Sequence, residues 1–251
     1  VSERIAAVIN EAGFAFTPTY LKSIHRKLFR GILPQAGEYR TVNIRKHEWV
    51  LREDSVTYAP FDDIATLLKS DFKDESEFEY AGKPAAEIIP HFASFVSEIW
   101  QRHPFREGNS RTTAVFAIKY LRQLGYEVSN NMFAEHSWYF RNALVRANYM
   151  GLGKNAGRTN AYLVAFFRNQ LLGEKNELKS RYLLIGIDRE IIKNTVYFFA
   201  MPVASFLPTF LLRYDPEAKE ARVAGSCMVV VSTLLCIATI PIWTTLLDKF
   251  L

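Results

Sequence analysis

Between His103 and Arg111 the chain reads HPFREGNSR, which places an imidazole, a carboxylate, a glycine, an amide and a guanidinium within nine residues. Core packing has no use for that density of polar groups, so the stretch is a candidate site. His103 is the one group in it whose unperturbed pKa lies near neutrality, which suits a general base acting on a hydroxyl. Where such a loop runs into a helix, the first N–H groups of the helix lack partners and carry partial positive charge. Gly108 lets the backbone approach a ligand closely, and the amides near Asn109, Ser110 and Arg111 would then point at an anion, most naturally a phosphate. Arg111 adds a planar fork of donors suited to phosphate oxygens. Glu107 is badly placed beside an anion unless a cation lies between them, so Mg²⁺ bridging carboxylate and phosphates is the economical reading. Together these groups describe transfer from a nucleotide. Each has an ordinary use when taken alone: a cap for His103 or Asn109, a favourable helix-start charge for Glu107, a surface charge for Arg111. Their joint occurrence singles them out.

Helices must hold this loop at both ends. Upstream, Phe92, Phe95, Val96, Ile99 and Trp100 recur at three- and four-residue steps, and downstream Val115, Ile118, Leu121 and Leu124 do the same. The spacing predicts helices over 85–102 and after the loop as far as Gly125, with Pro90 tolerable only near the first turn. Earlier, 2–12 reads as a short helix, and Thr17-Pro18 as a cap with proline at the first helical position of the next, which carries Leu21, Ile24 and Leu28. Segment 42–56 surrounds polar Arg52 to Ser55 with apolar residues and reads as a small hairpin. A helix over 61–72, an acidic loop over 73–79, a helix over 134–149 through Trp138, Phe140, Leu144 and Val145, and a helix over 162–172 stopped by Gly173 complete the first 184 residues.

HPFREGNSR resembles the Fic family signature, HPFx(D/E)GN(G)RxxR. The resemblance extends to 28–44, LFRGILPQAGEYRTVNI, similar to the family's early segment, and to 56–64, VTYAPFDDI, where the family has its target-docking flap. It implies an all-α Fic-type domain with a small β-hairpin flap that transfers AMP from ATP to a Ser, Thr or Tyr hydroxyl of a target protein. By the same resemblance His103 would be the general base, Phe105 the anchor of the loop in the core, and Glu107 the Mg²⁺ holder. Asn109 would contact the α-phosphate, Arg111 the β-phosphate, and Gly108 would keep the anion hole open. Val56, Thr57 and Tyr58 would grip the target backbone, while Asn148 would meet the adenine with Tyr139 stacked nearby. Two positions depart from the pattern: Ser110 replaces the second glycine, and Ala114 stands where most members carry the arginine that engages the γ-phosphate. The self-inhibiting motif (S/T)xxxE(G/N) has no copy in the chain, so control would come from a partner, such as an antitoxin in trans, or from expression level. Alternatives to AMP transfer are another nucleotide or phosphoryl donor, or a catalytically weak binding module that still docks a partner, which Ala114 favours.

The 251 residues suffice for one sizeable domain plus something smaller. Residues 185–251 balance six Lys/Arg against six Asp/Glu, so the formal charge of +5 belongs to 1–184, spread too thinly to form the basic stripe of a nucleic-acid binder. No signal peptide is visible at the start, where Glu3, Arg4 and Glu11 interrupt any apolar run. Cys227 and Cys236, the only cysteines, fall on opposite faces of a helix and cannot pair with each other, and the catalytic part has none, which suits a cytosolic setting.

From about residue 185 the composition changes. Two uncharged runs, 196–212 and 223–247, flank the polar loop RYDPEAKEAR. A helix needs roughly 20 apolar residues to cross a bilayer, so 185–251 reads as a hydrophobic helical hairpin with candidate membrane helices over about 191–212 and 223–247. AMPVASF and STLLCIATIPIW resemble the last two spans of auxin efflux carrier family permeases. A membrane anchor, a fusion with a decayed permease and an artefact joining two reading frames all fit. The expected placement is a cytoplasmic catalytic domain tied to the inner membrane by this tail.

Overall fold

In this computed structural model, which describes residues 1–151 and 157–186, helices form where apolar residues recur at helical steps. They are α1 (Ser2–Asn10), α2 (Pro18–Phe29), α3 (Ile64–Ser76), α4 (Ala85–Arg102), α5 (Asn109–Gln123), α6 (Asn131–Glu135), α7 (Ser137–Asn148) and α8 (Ala161–Leu172). The Thr17 hydroxyl accepts the Tyr20 N–H and Pro18 opens α2, as the sequence predicts. Helix α4 is the axis of the domain and packs on α3, α5, α7 and α8. Ile88, Phe92, Ala93, Phe95, Val96, Ile99 and Trp100 are buried along it, so its apolar residues form one broad face. Phe95 on α4 and Phe116 on α5 meet Phe16, Phe72 and Tyr120 in one aromatic cluster.

Long cationic side chains tie the helix ends together. Arg4 donates to the carbonyls of Leu28 and Arg30 at the C-terminus of α2. Lys119, buried on α5, donates to the carbonyls of Val8 and Glu11 at 3.1 and 2.7 Å, and Arg122 donates to Ile9. The last carbonyls of α1 therefore receive donors from the C-terminal part of α5, matching the negative end of the helix dipole.

Three sequence expectations are corrected. No strand occurs among the described residues, so the hairpin of 42–56 is absent: a 3-10 turn, Trp49–Leu51, buries Val50 and Leu51, and only Glu48 and Asp54 form a bridge. Arg52 and Glu53 both take positive φ, which reverses the chain at once, and Glu48 is buried against α7 by an ion pair with Arg141 and the Tyr58 hydroxyl. A ladder would have to pull that acid out. The acidic stretch 73–79 is no loop over its first half but the end of α3, where Glu75 is buried and accepts from Tyr80, Tyr120 and His91. Trp138 is no core residue; it is 51% exposed.

Val1–Gly186 form one compact unit. Among the described residues no helix is long and apolar enough to cross a membrane. The runs 196–212 and 223–247, both cysteines and the proposed anchor lie outside the described residues.

Candidate active site

Helix α4 ends at His103, which takes the left-handed conformation (φ 46°) and returns its N–H to the Trp100 carbonyl. Such a conformation is unfavourable for a residue with a side chain and persists only where the surroundings enforce it. Arg40 does so. Its Nε donates to the His103 carbonyl at 2.9 Å, its guanidinium also reaches the carbonyls of Val42 and Ala59, and its own N–H bonds the Pro104 carbonyl. The imidazole is 3% exposed, packed against the rings of Tyr58 and Trp100, and neither ring nitrogen has a hydrogen-bond partner. Burial, then the charges of Lys46 and Arg40, push its pKa well below the usual 6.5. It is neutral at pH 7 and can accept a proton.

The loop that follows is closed on itself. The Phe105 N–H donates to Asn109 Oδ1 at 3.0 Å, and Asn109 Nδ2 donates to the Phe105 carbonyl at 2.6 Å. Phe105 is buried and stacks on His25, whose ring pins the loop from the other side. His25 Nδ1 accepts the Gly37 N–H at 2.7 Å, so Nε2 carries the proton and donates to the Glu107 carbonyl at 3.0 Å. Gly108 sits at φ 82° with the Phe29 ring against it, and a Cβ there would lie 2.4 Å from Phe29 Cε2. Only glycine fits that approach.

Helix α5 begins at Asn109 with no side chain capping it, so its first amides open onto a cavity of about 340 Å³. His103, Glu107, Gly108, Asn109, Ser110 and Arg111 line the cavity on this side. Lys46, Trp100, Ser137, Trp138 and Arg141 complete its lining. Ser110 leaves the helix mouth open because its hydroxyl accepts from the Trp100 indole at 2.9 Å. Arg111 lies over the Phe29 ring. Glu107 projects into solvent and meets Lys46 Nζ at 3.2 Å.

Not every predicted residue is brought here. Asn109 offers its backbone amide, since both polar atoms of its side chain are bonded to Phe105. Tyr139 and Asn148 do not line the cavity. Tyr139 is buried with its hydroxyl on the Tyr162 carbonyl, and Asn148 Nδ2 donates to Ser97 Oγ at 2.8 Å, fastening α7 to α4. Of the expected flap, Val56 is core, Tyr58 covers His103, and Thr57 alone is exposed, its carbonyl held by Gln101. Lys46 and Arg141 were not singled out in the sequence, and Trp138 was read only as part of an apolar helix pattern. Ser137 and Arg141 lie four apart on one helical face, the available signal for the α7 wall.

Among the described residues Glu107 is the only acid lining the cavity, and no three His, Cys, Asp or Glu side chains gather as a metal cluster. That donor set fits a hard cation that takes most of its ligands from phosphates and water, as Mg²⁺ does, and does not fit a protein-caged metal.

Among curated proteins the chain is similar to the protein adenylyltransferase VbhT of Bartonella schoenbuchensis, 29% identical over 113 residues, 45% of this chain and 22% of that protein. It is also similar to the probable protein adenylyltransferase y4lH of Sinorhizobium fredii, 28% identical over 129 residues, 51% of this chain and 63% of that one. The chain thus spans less than two thirds of either relative. Solved structures share the fold: the N-terminal FIC domain of Bep8 from Bartonella sp. 1-1C has a TM-score of 0.51 at 21% identity over 68% of this chain and 80% of that one. BepC of Bartonella tribocorum, solved with bound AMPPNP, has a TM-score of 0.53 at 18% identity over 67% of this chain and 81% of that one. The loop between α4 and α5 lies within residues 15–121, and that segment matches the Fic/DOC family.

Proposed function

We propose that the protein transfers AMP from Mg²⁺-bound ATP to a Ser, Thr or Tyr hydroxyl of a target protein. The observation that carries this reading is a neutral imidazole with two unpartnered nitrogens lining the cavity onto which the uncapped start of α5 opens. The names of the curated relatives support it. His103 takes the proton of the attacking hydroxyl as its oxygen bonds the α-phosphorus, and the bond to the bridging oxygen of the β-phosphate breaks, releasing pyrophosphate. The amides of Asn109, Ser110 and Arg111 stabilise charge on the phosphates. Glu107 would hold Mg²⁺, which screens the phosphates when bound. Arg40 keeps His103 in its strained backbone conformation, and the Tyr58 and Trp100 rings keep water from its nitrogens.

The test is incubation of the full chain with candidate target proteins and ATP labelled at either the α or the γ position. Protein labelling from the α position alone, abolished in His103→Ala, is expected. Equal labelling by wild type and His103→Ala sinks the reading, and labelling from the γ position replaces it with phosphoryl transfer. Ala114 favours a second reading, a weak or inactive module that binds nucleotide and partner; it predicts nucleotide binding without any labelling.

A further inference from the structure

Among the described residues three cations line the cavity, and they are not held alike. Arg141 Nη1 lies 2.7 Å from Oε2 of Glu48, an acid with no solvent exposure. Moving that guanidinium would strand a buried carboxylate, so Arg141 is fixed in place. Arg111 belongs to the first turn of α5 and rests over the Phe29 ring at 4.7 Å. Lys46 differs from both. Its ammonium is 3.2 Å from Glu107 Oε1, in a pair whose side chains are 26% and 62% exposed, the kind of ion pair that exchanges readily. Its flexible stem rises from the irregular segment before the Trp49–Leu51 turn.

The partner of Lys46 is the one acid among the described residues lining the cavity, so anything that recruits Glu107 to a cation releases the ammonium beside the open amides. Three residues beyond Arg111, on the same face of α5, stands Ala114, so the helix gives the cavity one guanidinium and no second. A polyphosphate bound at this helix mouth needs further positive charge, and of the described cations lining the cavity Lys46 is the one held by an exposed ion pair.

We propose that Lys46 is a phosphate ligand: it exchanges Glu107 for the β- and γ-phosphates of the nucleotide and neutralises the pyrophosphate as it leaves. This rests on the AMP-transfer reading, because only there do those two phosphates form the leaving group. Lys46 then selects triphosphate over monophosphate, a task that α5 lacks the charge to perform alone.

The experiment measures binding of fluorescently labelled ATP and AMP to the full chain by anisotropy in Mg²⁺, for wild type, Lys46→Met and Lys46→Arg. Lys46→Met is expected to weaken ATP binding about tenfold and AMP binding less than about twofold, while Lys46→Arg keeps the preference for ATP. Equal weakening for both nucleotides, or none, overturns the proposal. Tighter ATP binding by Lys46→Met also overturns it and makes the Lys46–Glu107 pair an occluding latch. A wild type that labels its target from the α position while Lys46→Met binds ATP unchanged removes only the role of Lys46. A wild type that binds neither nucleotide removes the AMP-transfer reading with it.

Discussion

At His103 the same surroundings that hide the imidazole also set when it can work. Burial and the neighbouring charges of Lys46 and Arg40 hold its pKa well below 6.5, so the proton that would disable it as a base arrives only in acid. The acid limb of the pH profile of kcat/KM is therefore expected below pH 6.5, with the rate flat on that side through neutrality; a limb at or above 6.5 would mean another group is titrating. Gly108→Ala is expected to cost about 2 kcal/mol or more in urea unfolding, since a positive φ and the Phe29 ring both oppose a methyl group. The nine residues of the loop were legible because their side-chain types are unusual together. Lys46 and Arg141 were not, because a lysine in an irregular segment and an arginine on a helix look like any solvated charge until the fold brings them into one cavity with Glu107. The loop's dependence on the Asn109 side chain was equally hidden: an amide can serve a ligand or its own backbone, and here it bonds Phe105 twice.

Helix placement followed apolar spacing closely where a helix is buried on several sides. Helix α4 spans Ala85–Arg102 as its pattern predicts, although Pro90 stands beyond its first turn. The segment 42–56 misled because Trp49, Val50 and Leu51 give three apolar residues in succession, which mark a strand only if neighbours pair with it; Glu48 turns inward to Arg141 and Tyr58 instead. Buried acids of this kind fasten elements to each other. Glu75 joins α3 to Tyr80, to His91 on α4 and to Tyr120 on α5, and Glu75→Ala is expected to destabilise the domain by about 3 kcal/mol, read as a lower urea midpoint. Along α7, Trp138 faces the cavity mouth and meets Trp49, the two rings 6.3 Å apart. Because it is half exposed, Trp138→Ala should raise KM for the nucleotide while moving the melting temperature little; an unchanged KM would take α7 out of the binding surface.

Over the whole molecule, structures only 18% and 21% identical reach TM-scores of 0.53 and 0.51 with this chain, as expected when a helical core is specified by where apolar residues fall more than by which ones they are. Charge and hydropathy also divide the chain near residue 185, and the uncharged runs beyond it carry the anchor reading. The full chain is expected to sediment with membranes and a chain ending at residue 186 to stay in the supernatant; a soluble full chain would remove the anchor.

The ammonium of Lys119 and the guanidinium of Arg122 look toward α1, whose carbonyls at Val8, Ile9 and Glu11 receive them. A protein expressed from residue 15, where the family match begins, would leave those donors stranded on the helix whose other end opens onto the cavity. Its looseness would be felt at the nucleotide rather than at the missing helix, and an inactive short version would report a lost buttress, not a lost catalyst.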